Sequence, residues 1–186
     1  MQKNLRYYLN SYSFLLIVAG IIVAIDQYTK ELVRQNIPLG GTWMPLEWLS
    51  PYARFVNWFN TGAAFGLFKN GSLFFAVLAV IVMALILYYF PKVGKHEIVY
   101  RIAMAMQFAG AAGNFIDRVR LNGKVTDFIS VGNFAVFNVA DASITVGCIV
   151  LLLGSWYKDY KEGKSRWKQA SIEVKNSDIS ENKTDG

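Results

Sequence analysis

"SLFFAVLAVIVMALILYYF", residues 72–90, carries no charged side chain and stops at Pro91-Lys92. A helix that is apolar all round lies in the core of a large protein or in a bilayer. The stretch is bounded by Lys69 and by Pro91-Lys92. A span needs about 20 largely apolar residues, and this stretch supplies them.

Three further runs have similar length, at about residues 9–28, 98–116 and 138–157. The last two reach span length only if Asn114 and Asp141 lie at the membrane edge. Hydrophobic residues make up 54% of the chain and charged residues 17%, with mean hydropathy +0.29. That is less charge than a soluble domain carries. The expected fold is an α-helical integral membrane protein, a four-transmembrane-helix bundle. Residues 1–157 form the membrane domain. Residues 158–186 form a polar tail, Ser/Asn/Lys/Glu-rich and expected to be disordered.

The net charge of +6 does not point to nucleic acid, because the basic residues flank the apolar runs. The single cysteine, Cys148, excludes a disulfide framework and a Cys/His metal cluster, and the single histidine, His96, lies in a short basic connection, which counts against a Ser–His triad. No metal or cofactor is expected. The first run follows Lys3 and Arg6, as in a signal peptide. It continues into "DQYTKELVRQ" without a small-residue cleavage site, which suggests an uncleaved first span.

Most of the 19 Lys and Arg residues lie at the N-terminus, between spans two and three, and in the tail. By the positive-inside rule both termini are cytoplasmic. The two other connections then lie outside. The first, residues 31–68, has Pro and Gly turn signals and the aromatic, β-branched stretch "RFVNWFNTGAAFGLF". It is expected to form a small extracytoplasmic β-like platform between spans one and two, with Trp43, Trp48 and Trp58 at the interface.

This orientation gathers polar groups on one membrane surface: Asp26, Lys30, Asn114, Asp117, Arg118, Asp127, Asn138 and Asp141. Each has an ordinary reading. "NVAD" resembles a helix cap. Asp26 and Lys30 suit an i,i+4 ion pair. Asp117 and Arg118 suit a structural bridge, and Asn60 a turn. Together, ionisable groups at membrane depth mark a functional site. Ser143 with a lysine from another segment makes a weak Ser–Lys dyad. Two carboxylates make a better catalyst: a close pair shares one proton, the ionised partner activates water, and the protonated partner polarises a carbonyl. A transport protein would instead carry acids near the midplane or on both sides. A presenilin-like protease would carry "GxGD" within a span, and the sequence lacks it. A four-span assembly protein would use the acids as caps alone.

Five motifs occur in order: "DQYTK" (26–30), "NTGAAFG" (60–66), "AGAAGNFIDR" (109–118), "VTDF" (125–128) and "FNVADA" (137–142). In this order and layout the chain resembles the lipoprotein signal peptidase (signal peptidase II) family, over about residues 14–157. The resemblance implies an aspartic endopeptidase of the bacterial cytoplasmic membrane. Such an enzyme removes the signal peptide from a prolipoprotein, before the cysteine bearing a diacylglyceryl group. It implies Asp127 and Asp141 as the catalytic pair, with Asp117 as a supporting residue. It implies Asn60, Asn114, Asn138, Arg118, Asp26, Lys30 and Gly110 as substrate-binding or supporting positions. In these roles the asparagines would line the substrate backbone. Arg118 and Lys30 would hold Asp26, Asp117 or the loops. Partners would be lipid-modified prolipoproteins and membrane lipids, with the enzyme a monomer. Two departures stand out: Ala109-Gly110 replaces a pair of glycines, and the connection from Asp127 to Asp141 is short. That connection is expected to contribute to a lid.

Overall fold

The computed structural model describes the backbone of residues 2–62 and 71–184, and the side chains of residues 6–62, 71–164, 166 and 167. Four helices make the body: α1 (Gln2–Asn36), α2 (Ser72–Tyr89), α3 (Ile98–Arg120) and α4 (Val139–Thr184). Three short strands, β1 (Thr42–Trp43), β2 (Ala53–Asn60) and β3 (Val125–Val131), form a sheet at one end of the bundle.

α1 has no proline along its 35 residues and stops just before Pro38 and Gly40, whose φ of 78° breaks the helical path. At about 1.5 Å per residue it is longer than a bilayer core. Its last turns carry the charged pair Glu31–Arg34 (2.7 Å) beyond the expected limit at residue 28. α2 ends in a single 3-10 turn, Phe90–Lys92, where Pro91 cannot continue the hydrogen-bond ladder.

Among the described residues, three helices are long and apolar enough to cross a membrane: α1, α2 and the first half of α4. α3 is not in this set, although its 23 residues are long enough. The physical reason is its place in the bundle. It packs against all three other helices, and Ala103, Ala105, Ala109, Gly110, Ala111 and Gly113 are buried in those contacts. A helix screened by its neighbours needs no apolar surface toward lipid. It can therefore hold Arg101, Asn114 and Asp117, all buried. A core of Leu15, Ile86, Phe90 and Ala105 joins α1, α2 and α3 near the end opposite the sheet. There Arg101 lies over the Phe90 ring at 4.3 Å and donates to the Val93 carbonyl (3.2 Å).

The sheet order is β1-β2-β3, antiparallel throughout, with a bulge in β2 between Phe55 and Trp58. The expected platform is therefore present, but it is not confined to the connection between α1 and α2. β3 comes from the connection between α3 and α4. β3 is rich in β-branched residues, Val125, Thr126, Ile129 and Val131, and is followed by Gly132 with φ 50°.

α4 runs on through Thr184, past the boundary at residue 158 expected for the tail. The residues that looked like tail composition, Lys, Glu, Gln, Arg and Ala, are also good helix formers. Nothing but Gly163 interrupts them before the Ser/Asn-rich end.

Candidate active site

Each polar residue singled out in the sequence stands at the sheet end of the helices or on the sheet itself. Lys30, on α1, has no solvent exposure. Its ammonium meets Asp26 (2.9 Å), Asp117 of α3 (3.3 Å) and the amide oxygen of Asn114 (3.0 Å). Burial of an ammonium is tolerable only with such full compensation. The i,i+4 ion pair is thus real, and it is also one corner of a larger network.

Asp26 uses its second oxygen on another helix. It accepts the backbone N–H of Ala140 (2.9 Å), one of the orphan donors at the start of α4. Gly113 is what lets it approach: a Cβ there would lie 2.6 Å from the carboxylate. Gly110 allows a similar approach a turn earlier, where a Cβ would strike the Ala140 carbonyl and Ile144. Gly110 is therefore a packing position between α3 and α4.

Asn138 and Asp141 form a reciprocal cap. The Asn138 amide oxygen accepts the Asp141 N–H (2.9 Å), and the Asp141 carboxylate accepts the Asn138 N–H (3.2 Å). Asn138 then reaches across to β3, donating to the Asp127 carboxylate at 2.7 Å. Asn114 donates to the other Asp141 oxygen at 2.7 Å. Asn60, at the end of β2, donates to the second Asp127 oxygen (3.0 Å) and accepts the Gly62 N–H (2.9 Å). Asp127 and Asp141 are thus held on either side of Asn138. The rest of "NTGAAFG", residues 63–66, lies outside the described residues.

Asp127 is 2% exposed. Burial pushes its carboxyl up to about 7, and the negative charge of Asp141 adds to that. Donated hydrogen bonds from Asn60 and Asn138, and the Lys30 charge, oppose the rise. Near neutral pH Asp127 is therefore poised between its protonated and ionised forms, where an ordinary aspartate is fully ionised.

Asp117 is tied up elsewhere. Besides Lys30 it accepts the backbone N–H of Thr126 (3.0 Å) and the Gln27 amide (3.2 Å), and it lies 3.8 Å from Arg34. This is a fixing role for the base of β3. The expected bridge to Arg118 is not how Asp117 is held. Arg118 instead donates to the Asn114 carbonyl (3.4 Å), lies over the Phe75 ring at 5.5 Å and turns toward α2. Its Nε is buried with no hydrogen-bond partner among the described residues. Ser143 donates to Val139 one turn back, so its hydroxyl serves its own helix.

Sequence reasoning missed Arg34, Gln27 and Thr126. Arg34 donates to the Thr126 hydroxyl at 2.8 Å, and Gln27 donates to Asp26, Gly113 and Asp117. Their spacing was a usable signal, because Gln27, Lys30 and Arg34 share a face of α1 at i, i+3 and i+7. The connection expected to contribute to a lid is a tight return. Phe137 exchanges hydrogen bonds with Ile129 (2.8 and 3.0 Å), which ties Asn138 to β3.

The structure is thus a helix bundle with membrane-length helices and a network of buried carboxylates and amides gathered at its sheet end. Comparison with known proteins gives the family. Residues 18–157 match the family profile described as Signal peptidase (SPase) II. A lipoprotein signal peptidase of Enterococcus faecalis is 40% identical over 153 residues, covering 80% of this chain and 92% of that protein. One of Staphylococcus aureus is 32% identical over 142 residues, covering 74% and 85%. A solved structure described as a bacterial membrane enzyme superposes with TM-score 0.71 at 31% identity, covering 78% of this chain and 88% of that one. The chain belongs to the signal peptidase II family, and is a protease of it.

Proposed function

We propose that this protein is an aspartic endopeptidase that cuts the signal peptide from diacylglyceryl-modified prolipoproteins, just before the lipidated cysteine. The observation that carries the reading is the shared bracket: Asn138 binds both Asp127 and Asp141, and burial raises the proton affinity of Asp127. Asp141 acts as the base and takes a proton from water. Asp127 donates to the carbonyl oxygen of the scissile bond; as the C–N bond breaks, Asp141 gives the proton it took to the leaving amine and Asp127 recovers its own. No covalent intermediate forms. Asn60, Asn114 and Asn138 hold the carboxylates and present amide groups to the extended substrate backbone. Arg118, with its unpartnered Nε, has capacity left for a substrate carbonyl or a lipid phosphate.

The substrate fits the location. A signal peptide is an apolar helix, and a diacylglyceryl group holds the cysteine at the bilayer surface. In this reading all four helices span the membrane through residue 157, α3 sheltered among the others. The sheet lies on the outer face of the bacterial cytoplasmic membrane, and both termini are cytoplasmic. The membrane peptidase domain is residues 1–157, with 158–186 as a cytoplasmic extension, and the enzyme works as a monomer.

The test is cleavage of a lipid-modified prolipoprotein by purified wild type, Asp127→Asn, Asp141→Asn and Asp117→Asn. The first two variants should lose at least about a hundredfold in kcat while keeping the wild-type fold. Near-wild-type turnover by either one sinks the assignment. Asp117→Asn should lower thermal stability as well as rate.

A further inference from the structure

The outward face of α4 does not change character where the span is expected to end. Val146, Ile149, Leu153 and Trp156 are exposed along one side of the helix. Tyr160 and Trp167 continue that side, so all six fall within about a quarter of the helix circumference. Gly163 stands between the last two, with nothing within 4 Å of where its Cβ would be, so no described part of the protein covers the stripe there. Trp167 is 81% exposed, more than any other large apolar side chain among the described residues. A tryptophan ring has a body that favours an apolar neighbour and an N–H that favours water, which is why it suits a membrane interface.

We infer that residues 156–167 form a foot that lies in the headgroup layer of the bilayer and binds anionic phospholipid. The inference needs α4 to cross the membrane, as proposed above, and does not depend on the peptidase chemistry. Which leaflet carries the foot follows from the proposed orientation. Depth fits first. From Asp141 to Trp167 α4 rises roughly 39 Å, and at a common tilt of about 20° this is roughly 37 Å along the bilayer normal. With Asp141 at one edge of a hydrocarbon core of about 30 Å, Trp167 lies about 7 Å past the other edge, among headgroups. Tyr160 lies just inside that edge. Charge fits next. Lys164 stands at one border of the stripe and Arg166 at the other, both exposed. Lys161, also exposed, lies beyond Lys164, over the Tyr157 ring at 5.3 Å. The two acids of the segment, Asp159 and Glu162, are turned inward and line the cavity that α4 shares with α2 and α3. Lys158 is paired with Glu97 at 3.0 Å. An apolar stripe bordered by cations is what an anionic bilayer surface attracts. A second copy of the helix fits less well, because Gly163 leaves a gap in the stripe where a packed partner needs a side chain.

Trp167 reports on its own surroundings. The difference in fluorescence between wild type and Trp167→Phe isolates its emission from that of the other tryptophans. The full chain is reconstituted in vesicles of phosphatidylcholine alone and of equal parts phosphatidylcholine and phosphatidylglycerol. In the anionic vesicles the emission of Trp167 should shift to the blue and lose most of its quenching by acrylamide. In the neutral vesicles it should stay close to that of a tryptophan in water. A cation near an anionic surface strengthens association about fivefold, so Lys161→Gln, Lys164→Gln and Arg166→Gln combined should remove the difference between the two vesicles. Lys164→Gln alone should remove part of it, which separates lost charge from a lost fold. Water-like emission in both vesicles overturns the inference. Equal blue shifts in both overturn the binding of anionic lipid. A shift that disappears as the protein is diluted into more lipid of the same composition gives the stripe to a second copy and overturns the inference as well. Cleavage is not read, so none of these outcomes bears on the proposed function.

Discussion

Lys30 sits where a charge is least welcome and is held by two carboxylates and an amide. Replacing it with methionine keeps most of the stem but leaves Asp26 and Asp117 facing each other in a dry place. We expect Lys30→Met to cost about 3–5 kcal/mol, the range for breaking a buried ion pair from one side. Thermal denaturation in detergent would show this, and an unchanged midpoint would mean that the network relaxes freely. Asp127 poses the opposite case. Its folded-state carboxyl titrates at about 7, above the ordinary 3.8. Below both values the group is protonated in either state. Between them the native protein holds a proton that the unfolded chain lacks, so stability falls as pH rises from about 4 to about 7. Asp127→Asn should flatten that slope and melt higher than wild type at pH 8, while losing activity. In wild type, activity should decline as pH passes about 7 and Asp127 gives up its proton; a rate that keeps rising to pH 9 contradicts the assigned acid.

At the scale of elements, α3 and α4 meet through glycines, and contact there decides whether the carboxylates line up. Gly113→Ala places a methyl against the Asp26 carboxylate, which must then release the Ala140 N–H at the start of α4. We expect a loss of about 1–3 kcal/mol and a fall in kcat through a displaced Asp141, read by melting and kinetics together. Unaltered kinetics would show that the cap is independent of this approach. The four apolar runs were legible because lipid demands long uncharged segments, and the carboxylates were legible because charge at such places is rare. α3 was legible as an element but was the weakest of the four by composition, since its neighbours relieve it of facing lipid. The third strand was not legible: "VTDFISV" is a short run without strict alternation, its partner lies about seventy residues earlier, and no local signal names a partner. The same limit hid the roles of Gln27 and Arg34, which depend on which strand end arrives beside α1.

At the scale of the molecule, the orientation proposed from the basic residues puts the C-terminal extension in the cytoplasm. A reporter enzyme that works only after export should stay silent when fused after Gly186 and become active when inserted in the return at Gly132. The converse pattern would invert the molecule and put the carboxylate pair on the wrong side for a secreted substrate. The polar groups at the sheet end come from α1, β2, α3, β3 and α4, so the site belongs to the whole fold.

The bond from Asp26 to the Ala140 N–H joins the first helix to the last across 114 residues of chain. A chain made from its N-terminus on the ribosome places α1 in the bilayer long before residue 140 emerges. Until then Asp26 has no amide to hold, α4 has no start, and Asp141 has not been made. On the proposed assignment of Asp141, the protease completes its site only when α4 is in place. Translation itself supplies the safeguard that secreted proteases obtain from a removable pro-segment.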